Sequence, residues 1–221
     1  MICIPIMARD TAEALRHMEE AGPLADLMEI RLDVMDSFDL EAIIRSASRP
    51  LIITYRSKRE GGEGTADNGT RIRYLCTAID LGADFVDVEY TLPLEVRSEI
   101  FRRRRSSKII LSSHLRYKTP SGEELEGLFK KMAATGADVV KIIATAKEME
   151  DNLKVLTLIP LAKKLGIEII AFCMGPLGRL SRVATVLLGG YVTFASLERG
   201  QESAAGQIPV SDMKKIMEAL C

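Results

Sequence analysis

Eight short apolar runs, each followed by a segment with helical spacing, are the feature that most constrains how this chain can fold. The predicted strands cover residues 2–7, 27–32, 51–55, 84–89, 108–113, 138–143, 168–173 and 191–195. Strands that alternate with helices form parallel sheets, because each parallel connection needs a crossover. Eight such units close into a (β/α)8 barrel, and a length of 221 residues suits this TIM-barrel fold.

The predicted helices occupy the segments between these strands. They cover residues 11–21, about 39–48, 70–81, 93–105, 121–136, 147–165, 180–188 and 211–220. No linker interrupts the pattern, so the chain is predicted to form a single α/β domain over 1–221. An open doubly wound sheet is the structural alternative. That fold would normally show G-x-G-x-x-G after its first strand, where this chain has Met7-Ala8-Arg9-Asp10.

Composition narrows the classes of partner. The net charge of −1 gives no electrostatic reason to expect a nucleic-acid partner. The apolar runs are far shorter than a membrane span, so no membrane partner is expected. The four cysteines, at positions 3, 76, 173 and 221, are scattered without a C-x-x-C pair. This spacing argues against a zinc site or a disulfide framework and favours a reducing cytoplasm.

Lys141 lies in the middle of the segment 137–145, which is otherwise rich in Val and Ile. Such a segment predicts a strand buried on both faces, where lysine is almost never found without a partner or a use. Burial disfavours the ammonium form, and a neutral amine is a nucleophile. A structural ion pair is the alternative for this residue, and for a strand lysine taken alone it is the more common outcome.

Polar residues gather where the predicted strands end, which is the side of a barrel that carries the active site. They are Glu29, Arg31, Asp33, Arg56, Asp87, Glu89, Ser112, His114, Lys141, Arg179, Arg182, Ser203 and Gln207. Side chains alternate along a strand, so Glu29 and Arg31 share one face while Met28 and Ile30 share the other. A charged side chain that points into the barrel opposes folding unless it pairs with another charge or takes part in function. At single positions, a structural Glu29–Arg31 pair and a hydrogen-bonded His114 are the alternatives.

Six motifs, in order along most of the chain, resemble those of the type I 3-dehydroquinate dehydratase family. They are E-x-R-x-D at 29–33, R-x-x-x-E-G-G-E at 56–63, S-x-H with a following T-P at 112–120, G-A-D-x-x-K at 136–141, S-R at 181–182, and S-A-x-G-Q at 203–207. Each motif is modest alone, whereas six in the right order are highly specific.

This resemblance implies a hydro-lyase that converts 3-dehydroquinate to 3-dehydroshikimate and water in the shikimate pathway of aromatic amino-acid biosynthesis. It implies that Lys141 forms a Schiff base with the substrate ketone and that water leaves by syn elimination. His114 would donate and accept the proton, and Glu60 would assist it. Apolar neighbours and nearby arginines are expected to disfavour the ammonium form of Lys141.

The same resemblance implies how the substrate is held. The substrate-binding residues would be Glu29, Arg31, Arg56, Arg182, Ser203 and Gln207. Arg182 would hold the carboxylate, because a guanidinium offers bidentate geometry. Ser203 and Gln207 would add neutral hydrogen bonds from a loop that closes over the site. No metal or organic cofactor is expected, and the resemblance favours a homodimer.

Two other functions remain open at this level. Another Schiff-base barrel enzyme, of the class I aldolase or transaldolase type, would need a phosphate site after strands 7 and 8, for which the loop 175–181 is the candidate. A non-catalytic barrel that acts as a binding or scaffold module would form no imine.

Overall fold

Eight parallel strands form one sheet in the computed structural model, which describes residues 1–220 and leaves Cys221 outside the described residues. The strands are β1 (Ile2–Ile6), β2 (Leu27–Arg31), β3 (Leu51–Thr54), β4 (Phe85–Glu89), β5 (Lys108–His114), β6 (Val139–Thr145), β7 (Glu168–Met174) and β8 (Thr193–Phe194). Neighbours in the chain pair from β1 to β7, and β8 returns to pair with β1. This order confirms the (β/α)8 barrel, because a doubly wound sheet reverses its strand order.

The seam between β7 and β8 closes the barrel. β8 has two residues, fewer than the predicted strand 191–195. The backbone N–H of Tyr191 donates to the carbonyl of Ile169 across the seam at 2.7 Å. The rings of Phe172 and Phe194 lie 6.1 Å apart, which is within the range of favourable aromatic pairs. Aromatic packing therefore supports the part of the barrel where the ladder is shortest.

The helices surround this sheet. They are α1 (Thr11–Ala21), α2 (Leu40–Arg45), α3 (Asn68–Asp80), α4 (Leu94–Arg103), α5 (Gly122–Ala133), α6 (Glu150–Leu156), α7 (Leu158–Leu165), α8 (Arg179–Leu187) and α9 (Val210–Leu220). The single helix predicted over 147–165 is wrong, because the segment forms α6 and α7 with a break at Thr157. Pro160 explains the break, since its ring crowds the carbonyl of Leu156 and it lacks an N–H. Within residues 1–220, no helix is both long and apolar enough to cross a bilayer.

Two helix starts follow the capping signals in the sequence. Asp10 accepts a hydrogen bond from the N–H of Glu13 at 2.9 Å and caps α1. Ser121 and Glu124 form the predicted capping box of α5, with the Glu124 carboxylate 2.9 Å from the N–H of Ser121.

The alternation along each strand separates two cores. Residues that point outward pack against the helices, among them Met28, Ile30, Val86, Val88, Val140 and Ile142. A second apolar cluster fills the barrel interior and includes Leu27, Ile52, Phe85, Ile110, Val139 and Ile170. Above it the inward side chains become polar, and register places Ser112 beside both Glu89 and Lys141. The fold therefore collects the strand-end polar residues at one end of the barrel.

Candidate active site

A cavity of about 310 Å³ opens at the C-terminal end of the strands. Its size is at the lower end of the range typical of small-molecule sites. All nine predicted site residues line it, namely Glu29, Arg31, Arg56, Glu60, His114, Lys141, Arg182, Ser203 and Gln207. The prediction that these side chains come together is therefore consistent with the fold, although they come from six strand-and-loop units of the barrel.

Lys141 on β6 points into this cavity and is 4% exposed. Its Nζ lies 3.0 Å from Oδ2 of Asp87 and 3.4 Å from Oε1 of Glu29. The same atom lies 4.4 Å from the centre of the Phe194 ring. The nearest charged partners of the amine are thus carboxylates, not the arginines expected beside it. Asp87 stood among the strand-end polar residues, but its place in the site is visible only in three dimensions.

Arg56 joins the carboxylates of β4 into one buried network. Its guanidinium lies 2.7 Å from Asp87 and 3.2 Å from Glu89, and Glu89 also binds Arg71 at 2.5 Å. Burial alone would raise the pKa of Asp87, but the charges of Arg56 and Lys141 outweigh it and hold that pKa below its ordinary value. Asp87 therefore stays a carboxylate between two cations.

His114 ends β5 and forms a pair with Glu60. Its Nδ1 lies 3.1 Å from Oε2 of Glu60, and its backbone N–H donates to the same oxygen at 3.2 Å. Burial lowers the pKa of His114 well below its ordinary value, and the charges of Arg56 and Lys141 lower it further. The imidazole is thus neutral at physiological pH. A neutral imidazole that donates from Nδ1 has Nε2 available to accept a proton.

Arg31 makes two parallel hydrogen bonds to Asp33, at 2.8 and 2.7 Å. This bidentate pair fixes the guanidinium at the wall of the cavity. Glu29 is held in turn by the hydroxyl of Thr54, which donates to it at 2.8 Å. Both side chains are therefore oriented by partners within the protein, and each still lines the cavity.

Arg182 differs from the other buried cations of the cavity. It is 1% exposed, and its guanidinium carbon lies 4.6 Å from the centre of the Phe172 ring. One Nη2 donates to the carbonyl of Ala205 at 3.3 Å, whereas its Nε has no hydrogen-bond partner. Within residues 1–220, no carboxylate lies within ion-pairing distance of Arg182. Burial lowers the pKa of Arg182 to about 10, so at neutral pH the group remains charged.

Ser203 and Gln207 lie at the cavity edge and bind each other. The N–H of Ser203 donates to Oε1 of Gln207 at 2.7 Å, and Nε2 of Gln207 donates to the Ser203 hydroxyl at 3.0 Å. Gly206 has a φ of +82°, and a Cβ on it would lie 2.1 Å from the carbonyl oxygen of Gly175. Only glycine fits this contact, which seats the loop on the end of β7.

The loop 175–181, the candidate phosphate site of an aldolase, has several of its backbone N–H groups engaged within the protein. The N–H of Gly175 donates to Ala205, and that of Gly178 donates to Gly175. The N–H of Ser181 donates to the side chain of Asn152 at 3.2 Å. Three of the backbone donors that could bind a phosphate here are therefore already used within the protein.

Comparisons with known proteins agree with this geometry. A profile of the family described as Type I 3-dehydroquinase matches residues 2–220. The 3-dehydroquinate dehydratase of Methanococcus maripaludis is 37% identical over 222 residues, covering 100% of this chain and 100% of the relative. A chloroplastic bifunctional 3-dehydroquinate dehydratase/shikimate dehydrogenase of Arabidopsis thaliana is 37% identical over 96% of this chain, which spans 36% of the plant protein. The crystal structure of 3-dehydroquinate dehydratase from Geobacillus kaustophilus superposes with a TM-score of 0.90 at 30% identity, covering 99% of this chain and 90% of that one.

Proposed function

The chain belongs to the type I 3-dehydroquinase family, and from that premise we propose how its cavity converts 3-dehydroquinate to 3-dehydroshikimate and water. The reaction makes the protein a hydro-lyase of the shikimate pathway, which leads to the aromatic amino acids. One observation carries the assignment of residues. Arg182 faces the same cavity as Lys141 and has no carboxylate partner within the described residues, so the site accepts an anion beside a reactive amine.

The substrate carboxylate would bind Arg182. A planar guanidinium fork matches a carboxylate, and the bound anion would supply the charge that balances this buried cation. Glu29, Arg31 and Arg56 would bind the ring hydroxyls, since they are already oriented by their own partners. Ser203 and Gln207 would exchange their mutual hydrogen bonds for bonds to the substrate as the loop closes.

Lys141 would condense with the substrate ketone. The new carbon–nitrogen bond forms at Nζ, the ketone oxygen leaves as water, and the product is an iminium ion. The iminium carries the same positive charge as the ammonium group it replaces. Asp87 and Glu29 therefore balance the nitrogen before and after the step. The iminium then draws electrons from the neighbouring C–H bond and makes that proton acidic.

His114 would remove this proton and return it to the departing hydroxyl. The electron pair of the C–H bond moves toward the iminium nitrogen and gives an enamine, and the imidazolium then protonates the hydroxyl, which leaves as water. The electrons of the enamine expel this water and restore an iminium, which a water molecule hydrolyses to 3-dehydroshikimate and the free amine of Lys141. A positioned acid–base group of this kind contributes about 10²–10⁴-fold to the rate. Glu60 would hold His114 in the accepting tautomer through the bond to Nδ1.

Borohydride reduction in the presence of 3-dehydroquinate, followed by peptide mass mapping, tests this assignment. We expect one adduct, on Lys141. Lys141→Ala should abolish both adduct and turnover, whereas His114→Ala should slow turnover by about 10²–10⁴-fold and still allow the adduct. Lys147→Ala, an exposed lysine just beyond β6, is the matched control and should behave as wild type. A folded wild-type protein that yields no adduct on Lys141 would disprove the imine.

The proposal includes a homodimer in the cytoplasm. Leu180 and Leu187 on α8 and Leu188 at its C-terminal cap are all at least 43% exposed, and their spacing puts them on one side of the helix. An apolar patch of this kind is typical of an interface. Cys3 and Cys76 are buried free thiols, which suits a reducing compartment. Sedimentation equilibrium should give twice the chain mass, and Leu187→Glu should give monomers. A wild-type monomer would contradict the dimer and leave the catalytic assignment intact.

A further inference from the structure

The Glu60 carboxylate is held from two neighbouring units of the barrel. Its Oε2 accepts from both the backbone and the ring of His114, the last residue of β5. Its Oε1 accepts from the hydroxyl of Thr91, in the turn after β4, at 2.7 Å. Both carboxylate oxygens are thus engaged. Thr91 belongs to none of the motifs that identify the site, yet it makes the shortest hydrogen bond to Glu60.

The turn that carries Thr91 is itself fixed. The N–H of Tyr90 donates to the carbonyl of Ser112 on β5 at 2.7 Å. The N–H of Leu92 donates back to the carbonyl of Glu89 at 3.1 Å, and Pro93 then leads into α4. The Thr91 hydroxyl is therefore presented to Glu60 by a turn that is anchored to the strand of His114.

We propose that Thr91 is a positioning residue, which orients Glu60 so that the carboxylate selects the proton-accepting tautomer of His114. This inference rests on the function proposed above, in which His114 is the acid–base group. An ionised Glu60 accepts the Nδ1–H of His114 and leaves Nε2 as the lone-pair nitrogen. A protonated Glu60 would itself carry a donor, and the preference for that tautomer would be lost.

Several groups act on the charge of Glu60. They are Arg56 from the loop after β3, Asp87 from β4, Thr91 from the turn after β4 and His114 from β5, with Arg116 packed over Gly61. Burial raises the pKa of Glu60, and Asp87 also raises it. Arg56, the Thr91 hydroxyl and the His114 amide lower it. Burial prevails, so the pKa of Glu60 lies above its ordinary value, and each donor to the carboxylate favours its ionised form.

The ionisation of Glu60 determines the direction of the expected pH dependence. Activity that needs ionised Glu60 is present above the pKa of that group and is lost as the pH falls through it. Removing the Thr91 hydroxyl takes away a donor to the carboxylate, so the pKa of Glu60 rises. A hydrogen bond to a charged group is worth enough to move the acidic limb of kcat/KM upward by about one pH unit. On the acidic side this corresponds to a loss of about tenfold.

Thr91→Val and Thr91→Ser are the matched pair that tests the inference. Valine keeps the shape and removes the hydroxyl, whereas serine keeps the donor. The assay follows the absorbance of the conjugated enone product across the pH range. Thr91→Val should move the acidic limb of kcat/KM upward by about one pH unit and remain within about threefold of wild type above it. Thr91→Ser should follow the wild-type profile, and Thr91→Ala should repeat the shift of Thr91→Val.

Two controls separate the outcomes. Thr91→Val should still give the borohydride adduct on Lys141, and circular dichroism should show wild-type folding, since Thr91 itself is exposed. An acidic limb that coincides in wild type and in both hydroxyl-free variants would overturn the role of Thr91. An equal shift in Thr91→Ser would overturn it too, because the donor is still present there. Failure of the wild-type protein to form the adduct would instead overturn the proposed function.

Discussion

Replacing Arg182 by methionine should stabilise the protein without substrate and impair catalysis at the same time. The fall in the pKa of Arg182 from its ordinary value to about 10 reflects burial of its charge. At neutral pH the group is charged in both the folded and the unfolded chain, so the whole decrease in pKa corresponds to a free-energy cost of folding. It corresponds to about 3 kcal/mol.

The interactions that Arg182 makes offset part of this cost. The contact with the Phe172 ring contributes about 1 kcal/mol, and methionine keeps much of that packing. The hydrogen bond to Ala205 contributes about 1 kcal/mol more. The net gain in Arg182→Met is therefore roughly 1–2 kcal/mol, which raises Tm by about 2–8 °C in a domain of this size.

Catalysis should change in the opposite direction. Losing a charge-assisted pair with the substrate carboxylate costs about 3 kcal/mol, so kcat/KM should fall at least ~10²-fold. Calorimetry without substrate measures the first effect, and initial rates measure the second. Arg179→Met is the matched control, because Arg179 is exposed on the same helix and lies outside the cavity lining. A variant with lower Tm and unchanged kcat/KM would refute the reasoning.

Two further predictions concern the loop and the buried ion pairs. Gly206→Ala should lower kcat/KM by ~10-fold or more, because the new Cβ would lie 2.1 Å from the carbonyl oxygen of Gly175 and displace the loop. Gly200→Ala is the control in the same rate assay. Gly200 also has a positive φ, but a Cβ there would meet nothing within 4 Å, so its effect should be smaller. Asp87→Asn should destabilise the fold by about 3–5 kcal/mol in urea unfolding, because it leaves Lys141 and Arg56 short of a buried partner. Asp80→Asn, which breaks an exposed pair with Arg103, should leave the unfolding midpoint nearly unchanged, and equal effects of the two substitutions would contradict this account.

The barrel could be predicted because its pattern is local. Apolar runs alternate with helical spacing, and the odd and even residues of β2 separate Glu29 and Arg31 from Met28 and Ile30. The same alternation holds in three dimensions, because a strand has a period of two. The single helix predicted over 147–165 was wrong because Pro160 divides this segment into α6 and α7.

The sequence pattern could not predict contacts between side chains on different strands. Lys141 was singled out as a buried amine, but the sequence does not reveal that Asp87 lies 3.0 Å from it. That distance depends on the register of β4, β5 and β6 together, since Ser112 lies between the two strands that carry the charges. Thr91 is a similar case, because nothing in the sequence distinguishes a turn threonine that donates to a carboxylate from one that is hydrogen-bonded only to water. Hydrogen-bond and ion-pair partners on different strands can be identified only from the three-dimensional structure.

The pairing of charges in the cavity explains why the binding of an anion would be specific. Arg31 is engaged by Asp33, Arg56 by Asp87 and Glu89, and Lys141 by Asp87. These cations can still contribute N–H donors to neutral hydroxyls, but a further anion would meet carboxylates beside them. Arg182 stands apart, on the side of the cavity formed by Phe172 and the loop that carries Ala205. An anionic ligand would therefore bind in one orientation, with its carboxylate on Arg182 and its neutral ring toward Lys141. In the proposed mechanism, the same unbalanced charge that opposes folding would align the substrate.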